Sequence, residues 1–329
     1  MLPSPSSLLS SPTVISCDLR HFILRKSSDS DPPPAPIPRV STSAAYGILL
    51  FTMVIWASAF AGLRFVLRQI DPMTMTALRL YAAATVFLLV AVILRIPLPQ
   101  RKDWPSMLAA AVLGFTAYHY LLNLGTETIT AGQASFIIAT IPIWTAMLAW
   151  RFLGERLTVS NWLGLLLGLA GVGIMSVDPS RLSIGLGSWL VLGAALCAAG
   201  NLVITKDLLV RYRALDIAVY AGIIGALPYL LHLPWTWPAS AGLDLSGWLV
   251  LLYLGIIPVG LGYWLSSIAL AALPASRVAQ MLLLIPPMAA MIAWITIGEP
   301  PSKMLFVGGP LIIVGVILGR PSSTPIPSE

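Results

Sequence analysis

From Tyr46 onward, apolar runs long enough to span a bilayer alternate with short polar breaks. A membrane helix needs about 20 apolar residues. The pattern predicts spans near 46–66, 74–94, 105–124, 131–152, 160–177, 187–205, 215–232, 247–270, 275–297 and 304–319, an all-α membrane protein of ten transmembrane helices. The breaks are too short to hold a soluble domain, and those at 124–131 and 270–275 are tight turns.

Two of these runs share a phrase. IPIWTAMLAWRFLGE covers 141–155 and IPPMAAMIAWITIGE covers 285–299, an offset of 285 − 141 = 144. The same offset pairs Ala131 with Ala275, Pro142 with Pro286, Trp150 with Trp294, Glu155 with Glu299, Gly164 with Gly308, and Gly171-Val172 with Gly315-Val316. Residues 46–177 and 187–319 therefore read as two copies of one five-helix unit, between a Pro/Ser-rich N-terminal tail at 1–45, expected to be disordered, and a short C-terminal tail at 320–329. Because five is odd, the second copy enters the membrane from the opposite side. Inverted repeats of this kind recur in secondary transporters, with the site near the midplane between the halves.

Composition agrees with lipid as the solvent. The 329 residues are 57% hydrophobic and only 10% charged, against about 25% charged in a soluble domain. The net charge of +6 comes without a basic patch interleaved with aromatics, which argues against nucleic acid as a partner. With both termini cytoplasmic, fourteen Lys and Arg fall inside and five outside (Arg64, Arg68, Arg79, Arg181 and Lys303), as the positive-inside rule favours. Cys17 and Cys197 are expected to be free.

Polar residues inside spans mark candidate sites, because lipid penalises them unless they face protein or water. Thr116, His119, Tyr120, Asn123 and Glu127 lie at i, i+3, i+4, i+7 and i+11, one face of the third helix. Their offset partners Gly260, Tyr263, Trp264, Ser267 and Ala271 keep an aromatic pair and a small polar group. Both stripes are read as lining one cavity; the alternative is hydrogen-bonded glue between helices, about 0.6 kcal/mol per contact. Gln133, Thr140 and Trp144 of the fourth helix, Gln280 and Met288 of the ninth, Trp56 and Phe60 of the first, and Asn201 and Thr205 of the sixth complete the candidate walls. Trp104, Trp162, Trp189 and Trp248 sit near predicted helix ends, as interfacial anchors do.

His119 is the one ionisable group placed well inside a span, as proton relay, neutral hydrogen-bond partner or structural residue. Glu127, near the outer end of its helix, is the carboxylate candidate for coupling. Arg79 is expected to snorkel to the interface in preference to attracting anionic substrate groups. Glu155 and Glu299 are read as structural, with Arg151 and Arg156 as local partners of the first and Lys303 of the second. Pro142 and Pro286 remove a backbone donor inside a span and mark helix breaks. Gly164-x-x-x-Gly168 and Gly315-x-x-x-Gly319 predict close packing of the fifth and tenth helices, against each other or across a homodimer.

These residues carry a resemblance. Trp56-Ala-Ser-Ala-Phe60, Asp71-Pro72 followed by Arg79, and the Pro142 helix ending Gly154-Glu155-Arg156, with its echo at Pro286 and Gly298-Glu299, resemble EamA-type members of the drug/metabolite transporter superfamily over roughly 46–319. The resemblance implies ten helices in a plasma membrane (a bacterial inner membrane), a central cavity shared by both repeats, and export of small metabolites such as amino acids or drugs. The second copy departs from it, with Cys197 in place of the first-helix Trp and Pro300-Pro301 after its Gly-Glu. A sugar-phosphate or nucleotide-sugar exchanger is the nearest alternative, but its anionic substrates call for more than one midplane Lys or Arg, and none is placed there. A membrane enzyme would need a catalytic cluster. No zinc motif, paired aspartates or phosphate loop is present, the histidines at 21, 119 and 232 are scattered, and no cofactor or metal is expected. A channel would need charged rings or an oligomeric filter. The expected partners are a small-molecule substrate and the lipid bilayer.

Overall fold

The computed structural model describes residues 40–176, 185–298 and 302–319. Its helices in chain order are α1 Thr42–Val66, α2 Pro72–Ile93, α3 Arg101–Thr126, α4 Gly132–Leu153, α5 Val159–Ser176, α6 Leu186–Leu208, α7 Ala214–Gly242, α8 Leu245–Ala272, α9 Ala275–Thr296 and α10 Leu305–Leu318. Nine of the described helices are long and apolar enough to cross a membrane; α10, at 14 residues, is shorter. No strand occurs among the described residues. Helix α1 starts at Thr42, where Ser41 accepts a hydrogen bond from the Ala44 N–H as its cap. Helix α7 runs ten residues past its predicted end, through a 3-10 stretch at Leu227–His232.

The two copies share their irregularities as well as their sequence. The third helix of each copy contains a π-helical segment, Val112–Ala117 in α3 and Gly255–Leu261 in α8. The fourth helix of each breaks and restarts just before its proline, with α-helix resuming at Ile141 and at Ile285. Proline near the start of a helix sacrifices a donor that had no partner there anyway, so Pro142 and Pro286 begin the second half of each broken helix rather than interrupting it. Each of these helices then stops on a left-handed glycine, Gly154 at φ 71° and Gly298 at φ 68°, a conformation that costs glycine little.

Packing obeys a two-fold rule. Helix α1 packs on α8 and α9, and α6 packs on α3 and α4; α2 meets α7, and α5 meets α10. Helices α5 and α10 run antiparallel. A Cβ added at Gly164 would strike the Gly315 carbonyl, and one at Gly171 would strike the Gly308 carbonyl. These two contacts exchange when each number is moved by the repeat offset. The glycine faces of α5 and α10 thus meet each other within one chain, and the close approach needs residues without side chains there. Outward faces are apolar and exposed, as with Val92 and Ile93 on α2, Leu163 on α5 and Phe306 on α10. Apolar patches of that extent mark a surface meant for something other than water.

Candidate functional site

The π-turns place the candidate site. In α8 the Gly262 N–H bonds to the Ile257 carbonyl, one residue further back than in an α-helix. The Pro258 carbonyl is thereby freed, and Trp56 Nε1 on α1 donates to it at 2.9 Å. Gly114, the offset counterpart of Pro258, lies in the α3 π-turn, and its carbonyl accepts the Tyr263 hydroxyl of α8 at 3.2 Å. Each π-turn therefore presents a carbonyl to an aromatic donor of the other repeat. π-Bulges concentrate at functional sites because they expose backbone groups that an α-helix consumes.

Around these bonds an aromatic cluster forms from both halves. Tyr263 lies 4.5 Å from Phe115 and 5.7 Å, edge-on, from Trp56. Tyr118 packs edge-on against His119 with ring centroids 4.9 Å apart. The Tyr229 hydroxyl of α7 donates to the Thr116 carbonyl at 3.2 Å. Inside this cluster sits Arg79 of α2, only 8% exposed and within electrostatic reach of Tyr263, Tyr118, Tyr229 and His119. The expectation that Arg79 snorkels is thus overturned. Its helix is covered at that level by α8, where a Cβ at Gly255 would meet the Arg79 backbone carbon and carbonyl oxygen. The chain accordingly does carry an arginine inside the helical bundle. Sequence spacing, which counted two turns from Pro72, had no means of seeing that neighbour.

The predicted residues divide. Trp56, His119 and Tyr263 come together in the cluster, and Trp264 packs beside it against the cores that α2, α3 and α7 share with α8. Others join helices. Thr116 donates to the Gly225 carbonyl, Asn123 to Thr76 Oγ1, and Asn201 to the Ala110 carbonyl. Gln280 joins α9 to α10 by donating to the Gly315 carbonyl at 3.1 Å. Thr140 and Ser267 donate to carbonyls of their own helices, at Ile137 and Tyr263. Trp144 donates to Thr140 within the same broken helix. Tyr120, predicted to face inward, is 42% exposed, and Phe60, a candidate wall, is 49% exposed. Each belongs to a helix whose neighbours cover a different face. Glu127 is exposed at the end of α3.

Glu155 is structural, as expected, but its hydrogen bonds reach a distant helix. Its carboxylate accepts the Ala275 N–H at 2.7 Å, the Ser276 N–H at 3.1 Å and the Ser276 hydroxyl at 2.6 Å. Its partner is the N-terminus of α9, where free N–H groups and the helix dipole favour an anion. Lys206 stands nearby and donates to the last carbonyls of α8, Leu270 at 2.7 Å and Leu273 at 2.9 Å. At this end of the bundle the second half of α4 packs against the first half of α9. Glu299, its counterpart, and Pro300-Pro301 lie outside the described residues, as do Cys17, Arg181 and Arg320. Cys197 is a free cysteine.

Outside the spans, Asp71 caps α2, accepting from the Met73 and Thr74 N–H groups at 3.0 and 2.9 Å. Partial burial pushes its carboxyl up, but the hydrogen bonds from Thr74 and Met73 outweigh this and hold it below the usual range.

Comparison with known proteins places this geometry. Residues 43–177 and again 185–319 match the EamA-like transporter family. A probable terminal-alkyne amino-acid exporter of Streptantibioticus cattleyicolor is 33% identical over 84% of this chain and 93% of its own length. The uncharacterized transporter YdfC of Bacillus subtilis is 31% identical over 80% and 86%, respectively. An uncharacterized transporter of Archaeoglobus fulgidus is also 31% identical, over 82% and 96%. A solved crystal structure shares the fold at TM-score 0.71 and 20% identity, over 84% of this chain and 96% of its own. Two family-matched halves, related by one offset and packed about one pseudo-two-fold axis, leave no ambiguity: the chain belongs to the EamA-like transporter family.

Proposed function

We propose that the protein exports small metabolites, with amino acids as the first class to test, by alternating access through the centre between its two inverted repeats. The observation that carries this reading is the cluster of Trp56, Phe115, Tyr118 and His119 from one repeat with Tyr229 and Tyr263 from the other. A group held there touches both halves, so rocking one half against the other changes which side reaches it. The amino-acid exporter among the relatives supports the substrate class. The hydrogen bonds from the start of α9 to Glu155 at the end of α4 support a state in which the repeats are held together at the Glu155 end. The distribution of Lys and Arg supports placing that end, and both termini, on the cytoplasmic side of a plasma membrane. Helix α10, with its flanking residues, completes a tenth span on this reading.

The test is counterflow. Full-length protein in liposomes preloaded with unlabelled amino acids should accumulate the same labelled amino acid transiently and saturably. Cells expressing it should survive toxic amino-acid analogues that arrest control cells. Linear, non-saturating flux would point to a channel, and turnover of the compound into a product would point to an enzyme.

A further inference from the structure

Among the described residues Arg79 and Arg277 are buried within the helical bundle, and Lys206 is half-buried there. Arg277, 5% exposed, donates from Nη1 to Gln280 Oε1 at 2.7 Å and to the Val316 carbonyl at 2.6 Å, and from Nε to the Tyr46 hydroxyl at 3.2 Å. Lys206 donates to carbonyls at the end of α8. Both are spent on structure. Arg79 is buried like Arg277, yet its Nε is enclosed and has no hydrogen-bond partner. No described carboxylate pairs with it, and no aromatic ring stacks on it. His119 Nε2, in electrostatic reach of Arg79, is likewise enclosed and unpartnered.

A guanidinium is charged at any physiological pH, and an uncompensated charge inside a membrane protein is costly. Tyr263 and Tyr229 direct their hydroxyl protons to the Gly114 and Thr116 carbonyls, and neither hydroxyl accepts a hydrogen bond from Arg79 Nε. Two buried, unpartnered polar atoms beside one aromatic cluster at the centre point to a polar ligand. An anion with planar oxygens matches a guanidinium best.

We propose that Arg79 is the carboxylate-recognition residue of the central site, so that the transported class carries a free carboxylate, and that His119 Nε2 meets the polar group beside it. This deepens, and rests on, the transporter reading above. In an α-amino acid both groups are supplied by one small head, with the side chain left to the rings of Trp56, Phe115 and Tyr263. The single charge also discriminates. A phosphorylated substrate would bring about two negative charges to a cluster with one arginine, which disfavours the exchanger alternative.

The experiment compares acid with amide on the full-length chain in liposomes, using leucine, leucinamide and isovalerate as probes. Wild type should counterflow leucine at least tenfold more efficiently than leucinamide, with isovalerate competing for leucine and leucinamide not. Arg79→Gln should lose the leucine preference, and Arg79→Lys should keep part of it by retaining the charge. Replacing chloride by gluconate distinguishes a resident inorganic anion from the substrate: a tighter apparent affinity for leucine without chloride means that chloride occupies the same place in the empty site. Equal counterflow of leucine and leucinamide by wild type would overturn the carboxylate assignment while leaving the transporter reading intact. Absence of counterflow with every probe would remove both. The wild-type comparison needs no variant, so a misfolded Arg79→Gln does not protect the idea.

Discussion

The α5–α10 seam and the aromatic centre are built by opposite uses of the same repeat. At the seam the two copies write the same thing: Gly164 and Gly171 face Gly315 and Gly308, each the offset partner of the other pair. At the centre they diverge. The offset places Ile223 opposite Arg79, Tyr263 opposite His119 and Val259 opposite Phe115. On the proposed mechanism, symmetry supplies a scaffold in which two halves move about a common axis. On the same proposal, asymmetry supplies the chemistry, since a substrate with distinct ends needs a charge at one end only. The π-turns lie between these extremes: both copies keep the freed carbonyl at Gly114 and Pro258, but one binds a tyrosine and the other a tryptophan.

Breaking the seam should have the largest effect. Gly315→Leu puts a side chain against the Gly164 and Gly168 backbones, which cannot yield, and overpacking of this kind costs about 1–3 kcal/mol or more. Gly168→Leu meets only the Leu283 side chain, which can turn aside. Thermal unfolding in detergent should therefore rank Gly315→Leu as far more damaging than Gly168→Leu; equal stability would mean that the seam is looser than described.

Next in size is the Glu155 contact with α9. Glu155→Ala strands the Ala275 and Ser276 N–H groups, at about 1–3 kcal/mol, and Glu155→Gln should recover part of that. Unfolding temperatures for the pair check the order. If both match wild type, the cap on α9 contributes nothing.

At the centre, Tyr263→Phe removes one hydrogen bond to Gly114, worth about 1 kcal/mol. It should leave the fold nearly as stable while lowering counterflow severalfold. A fall in stability without a change in flux would reassign Tyr263 to packing.

The smallest expected effect concerns Asp71, a cap at the polar edge far from both regions. Asp71→Ala should cost about 1 kcal/mol. Its folded carboxyl lies below the unfolded value, so its contribution is present above the unfolded pKa and fades as pH falls through the folded one. The gap between wild type and Asp71→Ala should accordingly close in acid, below about pH 4; a gap that persists there would show that the charge is not what caps α2.

Much of this architecture was legible in the sequence. Spans follow from apolar runs, and the repeat follows from identities at one offset, because both are local or periodic signals. The glycine seam was legible for the same reason. What escaped depends on contacts across sequence distance. Arg79 reads as an interfacial residue until α8 is seen to cover it. Glu155 reads as an awkward charge at a helix end until α9, 120 residues away, presents its N-terminus. Thr116, Asn123 and Asn201 fit a cavity stripe by spacing, yet their hydrogen bonds go to neighbouring helices. Periodicity tells which residues share a face; it does not tell whether that face meets a cavity or a carbonyl. The π-turns, which rotate Tyr118 and His119 relative to a regular helix, have no sequence signal in α3 and only Pro258 in α8.

The central claim, that one site is shared by both repeats at their point of divergence, is tested most directly by photolabelling. A diazirine analogue of leucine that supports counterflow would be illuminated on the full-length protein, and its adducts mapped by peptide sequencing. The account predicts adducts on both α3 and α8, near Tyr118 and Tyr263, that unlabelled leucine competes away. Labelling confined to one repeat, labelling along the α5–α10 seam, or no competable labelling at all would contradict it.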